Sequence, residues 1–357
     1  FFFKQKTAYE ISLGLVGCNY GRAVLLPAFR ADPRCEVVAL AGTDAARTAT
    51  LANESGIPQA FGDWKAMLDQ ANVDAVAIAV PPRLQPAIAM AALERGKAVF
   101  GDKPLAADLD TAAAMRAQAR GKATIVDFGF PELSAWRKAK AMMNDGAIGA
   151  LRHVQLTWNV ENYATKMRLK DSWKTNGAEG GGALGNFVSH TFYYLEWLCG
   201  PIASLTARLS ALPDDPSFET GVTAALTFRS GAAGSVAMSS ASYLGSGHRL
   251  EIYGEDGTLV LHNPTSDYMR GFTLMHGRRP DAALKPVAVE ADPLDAKHND
   301  GRVAVAARLA ARLLDAVEKR ATASPSFSDG HRVQVLIDAA RRSHTEGRAI
   351  DIPGVIA

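Results

Sequence analysis

Hydrophobic runs alternate with helix-like segments along the first third of the chain. ISLGLVG and CEVVALAG are short apolar runs that end in glycine, and each precedes a segment with helical spacing, RAVLLPAFRAD or DAARTATLANESG. The alternation continues through VDAVAIAV, KAVFGDKP and ATIVDFGF, with QPAIAMAALERG and LDTAAAMRAQARG between them. Strands that alternate with helices of about ten residues predict right-handed βαβ units and a parallel sheet buried on both faces.

The pattern changes after Pro131. RHVQLTWNV alternates like a half-exposed strand, GVTAALTFRSGAAGSVAMSS predicts two strands around a glycine-rich turn, and RLEIYGEDGTLVLHN predicts a hairpin that turns at Asp256-Gly257. Flanking helices are predicted at 183–198, about 301–320 and about 327–346. Strands segregated from helices indicate an α+β domain built on a mostly antiparallel, open sheet.

Two domains are therefore expected. A chain of 357 residues is too long for one compact core. The patterns predict a doubly wound α/β domain over residues 12–131 and an α+β domain over residues 132–357, whose final helix could pack back on the first domain.

The first residues do not share these patterns. FFFKQKTAYEI lacks the apolar centre and the cleavage site of a signal peptide. Back-translated from Phe2, the segment resembles a widely used short-read sequencing adapter. We expect residues 1–11 to be an assembly artefact in place of the true start, and a natural N-terminal arm is the alternative.

Composition narrows the class of protein. Hydrophobic residues make up 48% and charged residues 21%, which is ordinary for a globular protein. Lys+Arg 39 against Asp+Glu 37, with no basic run, argues against nucleic acid or an anionic membrane as a partner. Cys18, Cys35 and Cys199 show no CxxC spacing, which favours a reducing compartment over a disulfide framework. With no apolar run of the roughly 20 residues that a membrane helix needs, we expect a cytoplasmic protein.

The first βα turn, GLVGCNYGR, stands where a dinucleotide-binding fold places G-x-G-x-x-G. Gly17 supplies the tight turn, Asn19 replaces the second glycine, and Gly21 comes one residue early, after Tyr20. The N-terminus of the following helix offers free N–H groups to an anion. A glycine-rich turn of some other α/β sheet is the alternative.

The end of the second strand bears on which dinucleotide is bound. A carboxylate there would hold the ribose 2′-hydroxyl of NAD. Gly42 and Thr43 occupy this place, with Arg47 shortly after, which favours the 2′-phosphate of NADP. Asp44 could instead reach back, which would favour NAD.

Three stretches together resemble the Gfo/Idh/MocA oxidoreductases: the turn after the first strand, IAVPPRLQPAIAMAALERGKAVFGDKPLA, and GGGALGNFVSH. The resemblance runs from Leu13 to PSFSDGHRVQVLIDAARRS near the end. It implies a Rossmann domain that binds NAD(P) and a second domain whose open sheet joins subunits into a dimer or tetramer. It also implies hydride transfer between nicotinamide and a secondary alcohol or ketone of a sugar, polyol or sugar derivative.

VFGDKP matches the family's E-K-P motif, with Asp102 in place of the glutamate. Lys103 follows the fifth predicted strand, at the carboxyl edge where open α/β sheets bind ligands. Pro104 stiffens the turn, and in many family members this peptide bond is cis. The resemblance implies that Lys103 acts in proton exchange and, with Asp102, lines the cofactor site. A surface lysine after a strand is the alternative.

GGGALGNFVSH matches the family's D-x-x-x-H helix, whose histidine passes the substrate hydroxyl's proton. His190 matches this histidine, and Asn186 stands in place of the aspartate on the same predicted helix face. An imidazole suits proton transfer near neutral pH, whereas an amide can orient a hydroxyl but cannot take its proton. A buried structural histidine is the alternative.

Five further residues occupy positions that the resemblance singles out. Pro81 and Pro82 lie in the loop that covers the nicotinamide side in the family, and Gln85 replaces a histidine often found after it. Trp173 and Lys174 stand where relatives often place W-R, and could line the substrate pocket or be a structural pair.

Other chemistries lack their signatures. The chain has no HExxH, GxSxG or GxxxxGK[ST], and His262, His276 and His298 lack metal-ligand spacing, so no metal is expected. Two rivals to a dehydrogenase remain. Asn186 and the altered glycine turn also suit a non-catalytic dinucleotide-binding sensor or scaffold, and some relatives hydrolyse or isomerise sugars with tightly bound NAD.

Overall fold

A computed structural model of the chain describes residues 11–169, 172–265 and 267–354. The predicted artefact therefore lies outside the described residues except for Ile11, which pairs with Cys35 in the first sheet. The chain forms two compact units. The first comprises residues up to Ala106, Asp110–Gly129 and Leu294–His331, and the second comprises Ala107–Leu109, Phe130–Pro293 and residues from Arg332 onward.

The first unit is built on a six-stranded parallel sheet in the order β3-β2-β1-β4-β5-β6. Its strands are β1 (Ile11–Val16), β2 (Cys35–Ala41), β3 (Gln59–Phe61), β4 (Ala75–Ile78), β5 (Ala98–Gly101) and β6 (Thr124–Val126). Because β1 pairs with both β2 and β4, the direction of winding reverses at β1, which is where such sheets bind dinucleotides. The predicted parallel α/β sheet is confirmed.

Helices connect these strands. They are a π-helical turn (Gly21–Leu25) that runs into α1 (Leu26–Arg30), then α2 (Ala45–Glu54), α3 (Trp64–Gln70), α4 (Gln85–Glu94) and α5 (Leu109–Gln118). The sequence pattern did not predict β3 and α3. With three residues at the sheet edge, two of them exposed, β3 has no apolar run to mark it.

The second unit is built on a nine-stranded sheet in the order β14-β13-β12-β11-β7-β10-β9-β8-β15. Its strands are β7 (Leu151–Asn159), β8 (Ile202–Leu212), β9 (Asp215–Phe228), β10 (Ala233–Ser239), β11 (Gly247–Gly254), β12 (Gly257–Asn263), β13 (Thr273–Arg278), β14 (Lys285–Pro286) and β15 (Ile350–Asp351). Neighbours are antiparallel except β7 and β10, so the predicted α+β class is confirmed. The β11–β12 hairpin turns at Glu255-Asp256, one residue earlier than predicted.

Five further α-helices lie in the described part of the chain. They are α6 (Ser134–Asn144), α7 (Tyr163–Lys166), α8 (Ser189–Cys199), which continues a π-helical turn at Leu184–Val188, α9 (Gly301–Lys319) and α10 (Phe327–Glu346). Although α9 comes late in the chain, it packs on α1, β5 and β6 of the first unit. Its Leu309 and Leu313 are fully buried in the core of that unit, which also holds Phe29 and Phe100.

Candidate functional site

The turn after β1 is shaped by two glycines. Gly17 has φ +111°, and a Cβ added there would overlap the carbonyl oxygen of Ala79 beyond the end of β4. A Cβ at Gly21 would lie 3.2 Å from Leu15 Cδ1, so the helix that starts here packs tightly on β1. The turn therefore keeps the close backbone approaches of a dinucleotide-binding turn although it is one residue short.

Asn19 begins the helix and contacts the next loop. Its carbonyl oxygen accepts a hydrogen bond from Ala23 N at 2.9 Å, and its side-chain Oδ1 accepts one from Arg47 Nη2 at 3.3 Å. Both Asn19 and Arg47 are exposed. The guanidinium of Arg47 thus lies beside the turn after β1, where it can meet an anionic ligand.

The end of β2 has no room for a carboxylate at Gly42. A Cβ there would overlap Thr48 Oγ1 and lie 2.8 Å from Cys18 Sγ. Asp44, the alternative acid, caps α2, because its Oδ1 accepts a hydrogen bond from Arg47 N at 3.0 Å. Thr43 is exposed beside it.

Gln85 is a functional candidate whose role the sequence did not reveal. Its side chain is 1% exposed and brackets the turn that carries Lys103. Nε2 donates to the carbonyl oxygens of Asp102 at 2.8 Å and Leu105 at 2.9 Å, and Oε1 accepts from Asp102 N at 2.7 Å. The signal was present in the sequence, since Gln85 stands where the family has a histidine.

Pro81 and Pro82 place Gln85 at the start of α4. The carbonyl oxygen of Pro81 accepts hydrogen bonds from Leu84 N at 2.9 Å and Gln85 N at 3.3 Å. Pro82 is buried and Pro81 is partly buried. This turn therefore orients the residue that holds the end of β5.

The turn after β5 places Lys103 at the carboxyl edge of the sheet. The Lys103–Pro104 peptide bond is cis, and Lys103 N donates to Asp102 Oδ1 at 2.7 Å. Lys103 and Asp102 are both partly buried. Fixed by its neighbours at a strand end, the lysine can present its ammonium group to a ligand at this edge.

A carboxyl group lies beside this turn. Asp127 follows β6, is 5% exposed, and accepts a hydrogen bond from the Tyr20 hydroxyl at 2.8 Å. The guanidinium of Arg302 lies 5.3 Å from the centre of the Tyr20 ring. Burial, reinforced by the charge of Asp102, raises the pKa of Asp127 to about 7, against the opposing influence of Tyr20, Lys103 and Arg302.

In the second unit, the predicted helix carries Asn186 and His190 as expected, but its first turns are π-helical over Leu184–Val188. Asn186 is partly buried, and its Nδ2 donates to the carbonyl oxygen of Lys174 at 2.6 Å. Gly182 N donates to the same oxygen at 3.0 Å. A carboxylate at this position could not donate that bond, so the amide ties the helix to the segment that holds Lys174.

His190 lies one turn further along the helix and is 7% exposed. Its ring meets the edge of Phe130 with centroids 5.2 Å apart. Trp173 is partly buried and Lys174 is exposed, next to the segment that Asn186 holds. The second unit therefore brings Trp173, Lys174, Asn186 and His190 to one end of the helix.

Glu219, on β9, was not singled out in the sequence. Its Oε1 accepts a hydrogen bond from Leu184 N at 2.7 Å, and its Oε2 pairs with Arg341 Nη1 at 3.0 Å. Arg341 also donates to the carbonyl oxygen of Gly177 at 3.1 Å. This partly buried ion pair holds the Glu219 carboxylate at the start of the helix that carries Asn186 and His190.

An aromatic cluster lies behind α8. His248 stacks on Trp158 with centroids 4.3 Å apart, and its Nε2 is 3.0 Å from the Tyr194 hydroxyl. Burial lowers the pKa of His248 to about 3. Tyr194 is fully buried and is thus a packing residue.

The described residues hold no cluster of three or more His, Cys, Asp or Glu side chains that could bind a metal ion. In the same ranges, no helix combines the length and apolar character needed to span a membrane.

The predicted residues thus fall into two groups. Those of the first unit lie at the carboxyl ends of β1, β2, β4 and β5: Gly17, Asn19, Tyr20, Gly21, Thr43, Arg47, Pro81, Pro82, Asp102 and Lys103. Those of the second unit lie around the start of α8.

Two protein-family descriptions match the chain. Residues 11–130 match an oxidoreductase family with an NAD-binding Rossmann fold, and residues 136–260 match the GFO/IDH/MocA C-terminal domain.

Individual relatives match over nearly the whole chain. An uncharacterized oxidoreductase from Synechocystis sp. is 30% identical over 362 residues, which cover 96% of each chain. Levoglucosan dehydrogenase from Pseudarthrobacter phenanthrenivorans is 26% identical over 399 residues, covering 98% of this chain and all of the relative. A solved structure of levoglucosan dehydrogenase in complex with NADH and L-sorbose has a TM-score of 0.84 at 23% identity, covering 97% of this chain and 99% of that one, a likeness of fold.

Proposed function

We propose that this chain, which belongs to the Gfo/Idh/MocA family of NAD-binding oxidoreductases, transfers a hydride between nicotinamide and a secondary alcohol or ketone of a sugar, polyol or sugar derivative. The observation that carries the proposal is the placement of Lys103. It lies in a turn held by Gln85 at the carboxyl edge of a sheet whose strand order is typical of dinucleotide-binding folds.

The residues of the first turn fit a dinucleotide. Gly17 and Gly21 stand where a side chain would clash or crowd, and the N-terminus of the following helix suits a pyrophosphate. Asn19, Tyr20, Pro81, Pro82 and Asp102 would complete the binding surface. When bound, the nicotinamide ring supplies the acceptor or donor of the hydride.

Oxidation of a secondary alcohol removes a hydride from carbon and a proton from oxygen. The hydride goes to the oxidised cofactor, and in our proposal Lys103 and His190 share the proton. Asn186 orients the hydroxyl, since its Nδ2 is engaged by Lys174 and its Oδ1 can accept. The reverse reaction returns the proton to the carbonyl oxygen.

The substrate class follows from the second unit and from the relatives. Trp173 offers an apolar face for a sugar ring, and Lys174 is a donor for its hydroxyls. Levoglucosan dehydrogenase, a relative across nearly the whole chain, acts on a sugar derivative as its name states. We extend that substrate class, not that substrate, to this chain.

NADP is the cofactor that we propose over NAD. Gly42 leaves no carboxylate for a ribose 2′-hydroxyl, and Asp44 is engaged in capping α2. Arg47 lies beside Asn19, and we expect Arg47 and Thr43 to bind a 2′-phosphate. Arg47→Ala should weaken NADPH binding about tenfold and leave NADH binding within about twofold, with Arg30→Ala as the control.

We also propose a homo-oligomer joined through the open sheet of the second unit, and a cytoplasmic location. The alternation of buried and exposed residues along β9 and β10 leaves one face of that sheet uncovered in a single subunit. Cys18, Cys35 and Cys199 are all free thiols, as a reducing compartment would keep them.

The test begins with titration of the purified chain with NADPH and NADH, followed by fluorescence, and continues with a sugar panel followed by the absorbance of the reduced cofactor. Lys103→Ala should lower kcat about 10²–10⁴-fold with little change in cofactor affinity. Lys97→Ala, at the amino end of β5, is the matched control.

Binding of either cofactor with no turnover on any sugar would favour the sensor. Retention of the dinucleotide through purification would favour a sugar hydrolase or isomerase with recycled NAD. Binding of neither cofactor to a preparation free of dinucleotide would contradict the proposal.

A further inference from the structure

Asp127 is a buried acid that the proposed reaction does not yet use. It is the first residue after β6, and its N–H donates to the carbonyl oxygen of Gly101 at 2.9 Å. Gly101 ends β5, two residues before Lys103. The backbone therefore fixes Asp127 beside the turn that presents the lysine.

A residue of the turn after β1 binds the carboxyl group of Asp127. The Tyr20 hydroxyl donates to Asp127 Oδ2 at 2.8 Å. Arg302, at the start of α9, covers the Tyr20 ring and is itself paired with Asp300 at 2.6 Å. The end of β5 thus fixes the backbone of Asp127, Tyr20 binds its carboxyl group, and Arg302 packs on Tyr20, an arrangement that costs side-chain freedom and that a solvated surface acid would not need.

The charged and titratable groups that act on Asp127 are few. Lys103 and Arg302 favour its ionised form, as does the hydrogen bond from Tyr20, whereas Asp102 and burial favour the protonated form. These influences leave the pKa of Asp127 at about 7, so the group can carry either charge state near neutral pH.

Electrostatic coupling between two groups is reciprocal. Because the Lys103 charge favours ionisation of Asp127, an ionised Asp127 must favour the protonated form of Lys103 by the same free energy.

We propose that Asp127, anchored by Tyr20, is a positioning residue for Lys103: its carboxylate holds the lysine ammonium that donates to the substrate oxygen, and protonation of Asp127 releases that hold. The inference rests on the proposed function for its consequence in catalysis. The coupling itself can be measured without turnover.

The experiment uses the full chain with its lysines reductively methylated with ¹³C and titrated by NMR. Lys103→Arg assigns the Lys103 signal. In the unmutated chain that signal should show an inflection near pH 7, where Asp127 ionises. In Asp127→Asn the inflection should vanish, and the amine should lose its proton at a lower pH.

Two further variants keep the result specific. Tyr20→Phe removes a hydrogen bond that favours the carboxylate, so the inflection should move to higher pH. Asp69→Asn should change neither feature, because Asp69 is an exposed acid near the end of α3, a helix that leads back to the amino edge of the sheet.

Kinetics supply the second readout. In the reductive direction, kcat/KM of Asp127→Asn should fall about tenfold at roughly pH 8 and stay near the unmutated value at roughly pH 6, since one pH unit of coupling is a factor of ten.

An Lys103 signal that titrates identically with and without Asp127 would overturn the proposal. An Asp127→Asn variant with a lower melting temperature but an unchanged inflection would also overturn it, since Asp127 would then have a structural role alone. If the NMR coupling is found but no sugar is turned over, the proposed function fails while the coupling between Asp127 and Lys103 stands.

Discussion

Both units place their candidate residues at a helix that starts with a π-helical turn, but they treat the start of that helix differently. At Gly21–Leu25, no side chain among the described residues caps the helix, and its first turn holds no acid. At Leu184–Val188, the Glu219 carboxylate accepts the N–H of Leu184. The positive end of the first helix therefore has no side-chain cap from the described residues, as our proposed anionic ligand requires, whereas the Glu219 carboxylate caps that of the second.

The two helices also differ in the titratable group that lies beside each of them. Asp127, which binds the Tyr20 hydroxyl at the first helix, has a pKa raised to about 7 by burial and by Asp102, and His248, behind the second, has a pKa lowered to about 3 by burial. Because of the raised pKa of Asp127, the free energy of unfolding falls as the pH rises from about 3.8 to about 7, since only the folded state then keeps the proton. Because of the lowered pKa of His248, the free energy of unfolding falls as the pH falls from 6.5 to about 3, since only the unfolded state then binds a proton.

Replacing His248 should give the largest effect. In His248→Gln, the loss of stability between pH 6.5 and about 3 should shrink by on the order of 4 kcal/mol. Urea unfolding followed by tryptophan fluorescence would measure it, since four of the five tryptophans lie in the second unit. His153→Gln is the control, and an unchanged pH dependence in His248→Gln would contradict the account of the aromatic cluster.

Removing Glu219 should give the next largest effect. Glu219→Ala leaves Leu184 N without its acceptor and Arg341 with only the Gly177 carbonyl oxygen, and should lower the free energy of unfolding by about 3 kcal/mol. Glu255→Ala breaks an exposed pair with Arg152 and should cost about 0.5 kcal/mol. Cofactor affinity should stay unchanged in both variants. A loss of cofactor affinity in Glu219→Ala would contradict the view that only the first helix start binds the dinucleotide.

Gly17→Ala tests the first helix start directly. The added Cβ would overlap the Ala79 carbonyl oxygen at a backbone conformation that alanine rarely adopts, so the turn must shift. We expect the dissociation constant for NAD(P)H to rise about thirtyfold, roughly 2 kcal/mol. Gly56 also has a positive φ, +61°, but open space around it, so Gly56→Ala should leave cofactor affinity unchanged.

Asn186→Asp should give the smallest effect. It restores the family's acid but places a carboxylate against the Lys174 carbonyl oxygen in place of a donated hydrogen bond. The kcat/KM for the sugar should fall about tenfold, roughly 1.4 kcal/mol. A rise in kcat/KM would instead mean that a carboxylate works better than the amide at this position and that the hydrogen bond to the Lys174 carbonyl oxygen does not matter for catalysis.

Strongly periodic segments could be predicted closely from the sequence. The predicted helix at 327–346 matches α10, and that at 301–320 matches α9 to within a residue. Short or polar elements such as β3 left no such pattern. An amphipathic helix shows that one face is buried but not which element buries it, so the packing of α9 on the first unit was out of reach.

For the candidate site, motif residues were easier to find than the residues that hold them. Lys103 and His190 stand in recognisable stretches, whereas Gln85 and Glu219 act on backbone atoms of segments distant in sequence. Asp127 did carry a signal, an acid directly after a buried strand, but its partner Tyr20 lies 107 positions earlier in the chain.

The late position of α9 has a consequence for how the chain is made. Leu309 and Leu313 complete the core of the first unit, yet all of Phe130–Pro293 is synthesised before them. During translation, the core of the six-stranded sheet therefore lacks α9 until the second unit has emerged from the ribosome. Most of the second unit is thus synthesised between two segments of the first unit. If the ribosome stalled before Leu309, the apolar surface that α9 covers in the first unit would stay exposed, and a chaperone could bind it.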